Sequence, residues 1–192
     1  MSDPNPAALD FLLTRRSRPA RTLRAPVPDA TALRTLLTAA ARSPDHAKLE
    51  PWRFIVLERA ALMRLATLVE ATGARLNRSA EEIAKAHAQY ADAHLAVAVI
   101  EVPRPSDKVP PIEQSYSAGA VCLQLLNAAL AAGWGANWLT GWPVHDRDFV
   151  TMGLGLARGE RVAGVIHIGT ETAAPPERPR PDIDAITQWM RA

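Results

Sequence analysis

Apolar residues recur along this chain with two periods, and the switches between them mark its elements. Leu9, Leu12 and Leu13 fall on one side of a short helix predicted over 7–14, entered through Pro4 and Pro6. Asp29 is placed to cap a helix running to Arg42, on which Leu33, Leu36 and Leu37 stand at helical spacing; Ser43-Pro44-Asp45 ends it. Trp52–Glu58 reads as a strand, because Phe54, Ile55, Val56 and Leu57 favour extended backbone and Pro51 bounds them. Two helices follow. The first carries Leu62, Leu65 and Val69 and is expected to stop at Gly73; the second opens with Ser79 and Glu82, spaced as a capping box requires.

Leu95–Val102 is apolar on both faces, the mark of a central strand. After a proline-rich loop over 103–111, a helix is predicted from Ile112 to Ala132. Ala118, Val121, Cys122, Leu125 and Ala129 make one stripe on it, and Leu123, Leu126 and Leu130 cover another side. A helix apolar nearly all round is buried on most sides. A short strand at Asn137–Leu139, a helix over Asp146–Leu154 and a strand over Val162–Gly169 complete the pattern. The tail from Thr170 holds Pro175, Pro176, Pro179 and Pro181, so an extended arm is expected, either wrapped on a partner or disordered. Helices first, then strands separated by helical pairs, predict an α+β fold: a small central sheet flanked by helices. The 192 residues suit a single domain, 1–192, of which about 171–192 form the arm.

Composition narrows the chemistry. With 48% apolar and 22% charged residues the chain can build a core without disulfide or metal. Cys122 is the only cysteine and sits among apolar neighbours, so it reads as a buried thiol. The five histidines form no zinc-type spacing with a carboxylate, and no metal is expected. The stretch from Val121 to Leu139 is broken by Gln124, Asn127 and Gly133, and the N-terminus lacks the pattern of a secretory leader. No membrane partner is expected, and a cytoplasmic location is. All but three of the 22 Lys and Arg residues are arginine, yet the net charge is only +2, against a nucleic-acid binding surface. Gly153-Leu154-Gly155 opens no dinucleotide fingerprint, because the next glycine, Gly159, comes one residue too late and a helix precedes it. No phosphate-loop or serine-hydrolase motif is present.

Three segments stand out. Arg15-Arg16-Ser17 can grip a phosphate or polyol chain, or can be a solvated helix end. Arg42 to Trp52 packs charge, a histidine and prolines into the connection before the first strand, where function often resides, though an ordinary connection reads equally well. Gly133 to Pro143 holds three of five tryptophans beside glycines, suiting a flat ligand that approaches backbone closely, or a core strand filled by its rings.

These segments, in this order, resemble the nitroreductase family, and most closely its compact bacterial NAD(P)H nitroreductase subgroup. The features are the early Arg-Arg-Ser, the Ser43-Pro44-Asp45-His46…Pro51-Trp52 loop, and the helix starting Pro111-Ile112-Glu113-Gln114. The Gly133-x-Gly-x-x-Trp138 segment and the Gly169-Thr170 strand end with its Pro/Arg tail complete the set. The resemblance covers nearly the whole chain. It implies an α+β sandwich, mainly antiparallel and dimeric, with FMN held between two identical subunits. It implies that Arg15, Arg16 and Ser17 contact FMN, that Arg42 and His46 reach the flavin held mainly by the other subunit, and that Trp138, Leu139, Thr140 and Gly141 line the cofactor. Arg180, or else Arg178, would meet the phosphate. Ala128, Ala129, Leu130, Ala131, Ala132 and Gly133 match a segment proposed to bind the nicotinamide nucleotide. NAD(P)H would deliver hydride through flavin N5 to a nitroaromatic, quinone or similar small acceptor by a ping-pong route, and no side chain is assigned as catalytic. Other flavin reactions on the same scaffold, such as dehydrogenation, dehalogenation or flavin cleavage, are the alternatives.

Glu50 departs from the family pattern, which has glutamine there. A carboxylate near a reduced flavin would disfavour its anionic form, so Glu50 is expected to face water, to pair with an arginine such as Arg53, or to alter the potential.

Overall fold

The apolar segments meet across the middle of the chain. β2 (Trp52–Glu58) pairs antiparallel with β3 (Leu95–Glu101), Trp52 opposite Glu101 and Glu58 opposite Leu95. β3 pairs on its other side with β5 (Arg161–Glu171). β5 also pairs with β4 (Gly135–Leu139) and, at its end, with the two residues of β1 (Leu23–Arg24). Every pairing is antiparallel and β2 closes one edge. The structure, a computed structural model, describes residues 3–191 and is the α+β sandwich expected. All seven positions of β3 are buried, as two-sided apolarity requires.

Strand alternation sends successive side chains to opposite faces, and each face has its own helices. Over one lie α2 (Ala30–Ala40) and α5 (Pro111–Ala131), enclosing Leu33, Val97, Val99, Leu125, Ile166 and Ile168. Over the other lie α3 (Arg59–Arg75), α4 (Ala80–Ala91) and α6 (Arg147–Leu154), enclosing Leu62, Leu65, Ala98, Ile100, Phe149 and Val165. Cys122 is fully buried beneath α5, and burial pushes its thiol up to about 12.

Local signals set the helix starts. Asp29 caps α2 through Ala32 N at 2.8 Å, and Ser79 and Glu82 form the capping box of α4. Asp146 caps α6 through Phe149 N at 2.8 Å and takes a 2.6 Å bond from Arg75, which holds its carboxyl below the usual range. α2 ends at Ala40 rather than Arg42. The helix expected to stop at Gly73 continues to Arg75. A Cβ at Gly73 would stand 2.5 Å from Ile83 Cγ1, so glycine serves there to let α4 pack close. From Thr172 the described tail holds no helix or strand and turns over 183–186, and Ile183, Ile186, Trp189 and Met190 are all exposed. Among the described residues no helix is long and apolar enough to cross a membrane.

Candidate functional site

Arg15 to Arg18 leave α1 (Pro6–Thr14) as an extended segment laid against the end of the sheet. Arg18 N donates to Ala136 O at 2.8 Å, Asn137 Nδ2 donates to Arg18 O at 2.6 Å, and the Arg18 guanidinium pairs with Glu171 at 2.9 Å. This anchors the backbone and leaves Arg15 and Arg16 facing the arm. Arg16 lies 3.1 Å from Glu177, and Arg180 reaches the same carboxylate at 3.5 Å. Arg15 donates to Ser17 Oγ at 3.2 Å, while its Nε is buried without a partner. Burial first, then Arg180 and Arg16, lower the Arg15 pKa. Two guanidiniums thus share one carboxylate with a third, Arg15, close enough to feel their charge, a surplus that a dianion would neutralise. Cavities of about 290 Å³ and 670 Å³ flank them, the second walled by Arg178 and Arg180.

The smaller of these cavities is also lined by Leu130 and Gly133, at the end of α5. Of the rest of that expected nucleotide segment, Ala131 and Ala132 are exposed and Ala128 packs on the core. Ala129 is 0% exposed in the core under α5, so its side chain cannot reach a ligand, a correction to the whole-segment reading.

Two residues beyond Ser17, the chain enters the wall of a third cavity of about 480 Å³. Pro19, Ala20 and Arg21 form one side, Lys85, Ala88 and Gln89 of α4 with its C-cap Asp92 another, and Asn137, Leu139 and His167 the floor. Gln89 Nε2 donates to Thr140 O at 3.1 Å, and Gly141, at φ 131°, follows with its Cα face toward Gln89. Leu139 lines the cavity as expected, but Trp138 does not. Its indole lies on the opposite face, where a Cβ at Gly164 would come within 2.1 Å of Nε1, so only its backbone can serve a ligand on the α4 side. Sequence reading missed the α4 wall. Lys85, Gln89 and Asp92 fall at i, i+4 and i+7, a polar stripe opposite the buried Ala86 and Tyr90, and that periodicity was the available signal.

Arg42 and His46 lie elsewhere. His46 Nδ1 stands 2.7 Å from Glu113 Oε2 at the start of α5, and both Arg42 and His46 are exposed. Leu130, beside Arg15 and Arg16, is 17 residues further along α5, roughly 25 Å at the helical rise. One chain therefore cannot bring both groups to one small ligand. The connecting loop holds three non-glycine residues at positive φ: Ala47 (61°), Lys48 (56°) and Glu50 (48°). Asp45 Oδ2 steadies it by accepting from Glu50 N at 2.8 Å. Glu50 is exposed, and the pairing with Arg53 is not formed. Arg53 Nε and Nη2 donate instead to Glu160, at 2.7 and 2.8 Å, the better-buried carboxylate.

Comparison with known proteins gives a consistent picture. The family model described as "Nitroreductase family" matches residues 12–170. A Haemophilus influenzae protein named "Putative NAD(P)H nitroreductase" is 35% identical over 164 residues, 85% of this chain and 88% of its own. An Escherichia coli K12 protein of the same description, YdjA, is 31% identical over 163 residues, 85% of this chain and 87% of its own. Among solved structures, a nitroreductase-like family protein from Bacillus cereus superposes with TM-score 0.80 at 23% identity, covering 100% of both chains. A Desulfovibrio desulfuricans protein, described as a "putative nitroreductase in complex with fmn", gives 0.75 at 19% identity, covering 99% of this chain and 100% of its own.

Proposed function

Because this chain belongs to the nitroreductase family, we propose that it is a homodimeric, FMN-dependent oxidoreductase that moves hydride from NAD(P)H to small electron-poor acceptors. The observation that carries this reading is the surplus of positive charge where Arg15 lies beside Arg16 and Arg180, which share the single carboxylate of Glu177, next to a cavity open enough for a planar ring. A phosphate dianion matches that surplus, and the buried, unpartnered Arg15 Nε is the kind of donor such a group satisfies.

Residue roles follow from placement. Arg15, Arg16 and Arg180 would hold the phosphate, with Arg178 on the same wall, and Ser17 would bond the polyol chain next to it. Leu139 at the end of β4 and Thr140 and Gly141 just after it would meet the ring from one side, and Lys85 and Gln89 from α4. Lys85 and Arg21 place positive charge at the cavity wall, where it would favour electron density arriving on a reduced ring. His46, some 25 Å away in one chain, would with Arg42 complete the site of the other subunit, and the separation of His46 is the physical case for a dimer. When bound, FMN supplies hydride relay at N5, alternately to and from molecules that use one open face, in a ping-pong cycle. The side chains supply position and field, and none is assigned as catalytic.

The test is a visible spectrum of purified protein, then anaerobic titration with NADH and with NADPH. The expected result is yellow protein with one FMN per chain, bleached by nicotinamide and restored by a nitroaromatic or quinone. Colourless protein that refuses added FMN contradicts the proposal.

A further inference from the structure

The floor of the α4-side cavity holds a histidine that the family-derived site residues do not account for. His167, on β5, is 2% exposed and lines the cavity, yet neither ring nitrogen has a hydrogen-bond partner. Buried polar side chains are nearly always hydrogen-bonded, so an open donor and an open acceptor at a cavity floor point to a ligand. Asn137 stands directly across the β4–β5 ladder from His167, with its amide nitrogen fixed on Arg18 O. Ala96 lies across the β3–β5 ladder, and Ala93 lines the cavity beside them; neither offers a polar group. The charged groups facing the cavity are Arg21, Lys85 and Asp92, on the walls.

We propose that His167, beside Asn137, is a positioning residue that reads the uncharged amide-like edge of the bound ring, where carbonyl and N–H groups alternate. This rests on the FMN reading above. A neutral imidazole offers one N–H donor and one acceptor, the complement of such an edge, and offers nothing to a phosphate. Burial lowers the histidine to about 4, so the ring is uncharged at neutral pH. The division of labour is then physical: arginines at one end hold charge, and His167 at the other reads ring polarity.

The experiment titrates flavin-stripped full chain with FMN and with riboflavin, followed by flavin fluorescence. Riboflavin lacks the phosphate and so reports the ring alone. His167→Leu is expected to weaken both flavins on the order of tenfold, the loss of about one good hydrogen bond. His167→Gln, which keeps a donor and an acceptor, should stay within about threefold of wild type. Arg16→Ala should weaken FMN and leave riboflavin unchanged. Thermal melts of the flavin-free proteins accompany each titration, and His167→Leu should melt no lower than wild type. Equal flavin affinity in all His167 variants overturns the proposal, as does an equal loss in Leu and Gln variants together with lowered melting, which assigns the residue to packing. Wild-type protein that binds neither flavin defeats the FMN reading itself, which separates the two failures.

Discussion

Ile166 and Ile168 are sealed against α5, while His167, between them, opens on empty space. The same strand builds both environments, and the difference lies in what covers each face. Over the α2/α5 face a helix apolar on most sides lays Val121, Leu125 and Ala129 across β3 and β5, and small residues take up the remaining room. Over the other face, α3 and α6 seal β2 and β3, but the α4 end near β4 presents Lys85, Gln89 and Asp92 and stops short of closure. One face stores folding free energy. The other gives some up, leaving polar groups unpartnered so that a ligand can pair with them.

Deleting volume on the sealed face should have the largest effect. Leu125→Ala removes a side chain that is 0% exposed and should cost about 4 kcal/mol in urea unfolding. A much smaller loss would mean that α5 repacks and the face is looser than described. Acid should separate the two faces next. Unfolded histidine takes a proton below about 6.5, whereas folded His167 refuses one until about 4. Lowering pH through that window therefore favours the unfolded chain, by up to about 3 kcal/mol from this residue. The His167→Gln variant should lack this loss, and identical acid profiles would break the comparison. The depressed carboxyls Asp146 and Glu160 act in a lower window, contributing stability above their usual pKa values and losing it as pH falls below them. Asp146→Ala should cost about 1 kcal/mol at neutral pH by removing the α6 cap, and should leave flavin affinity untouched. The smallest expected effect is at Cys122. A neutral-pH thiol reagent should leave it unmodified in folded protein and label it fully in urea.

Most of the fold was legible because its signals are local. The two-sided apolarity of Leu95–Glu101 and the Ser79/Glu82 capping box need no knowledge of distant residues. Gly73 misled because its reason lies in Ile83, on another helix. The tryptophans of Gly133–Pro143 left a ligand wall and a core strand both open, and strand alternation decides it by putting Trp138 with Ala136 in the core and Leu139 with Asn137 at the cavity. The guanidinium cluster could be anticipated only through the family resemblance, since Arg15 and Arg180 are far apart in sequence. His167 and the α4 wall were invisible because they depend on β4–β5 register and on where α4 ends, which no single segment encodes.

The account turns on each flavin site being built from two chains, and a mixed dimer measures that directly. Arg16→Ala and Arg42→Ala homodimers should each hold FMN weakly at both sites. Co-expressed and purified as a heterodimer, the two variants place both lesions in one site and restore the other, so one tight FMN per dimer is expected. A heterodimer that binds no more tightly than either parent, or a protein that binds FMN fully as a single chain, contradicts the account.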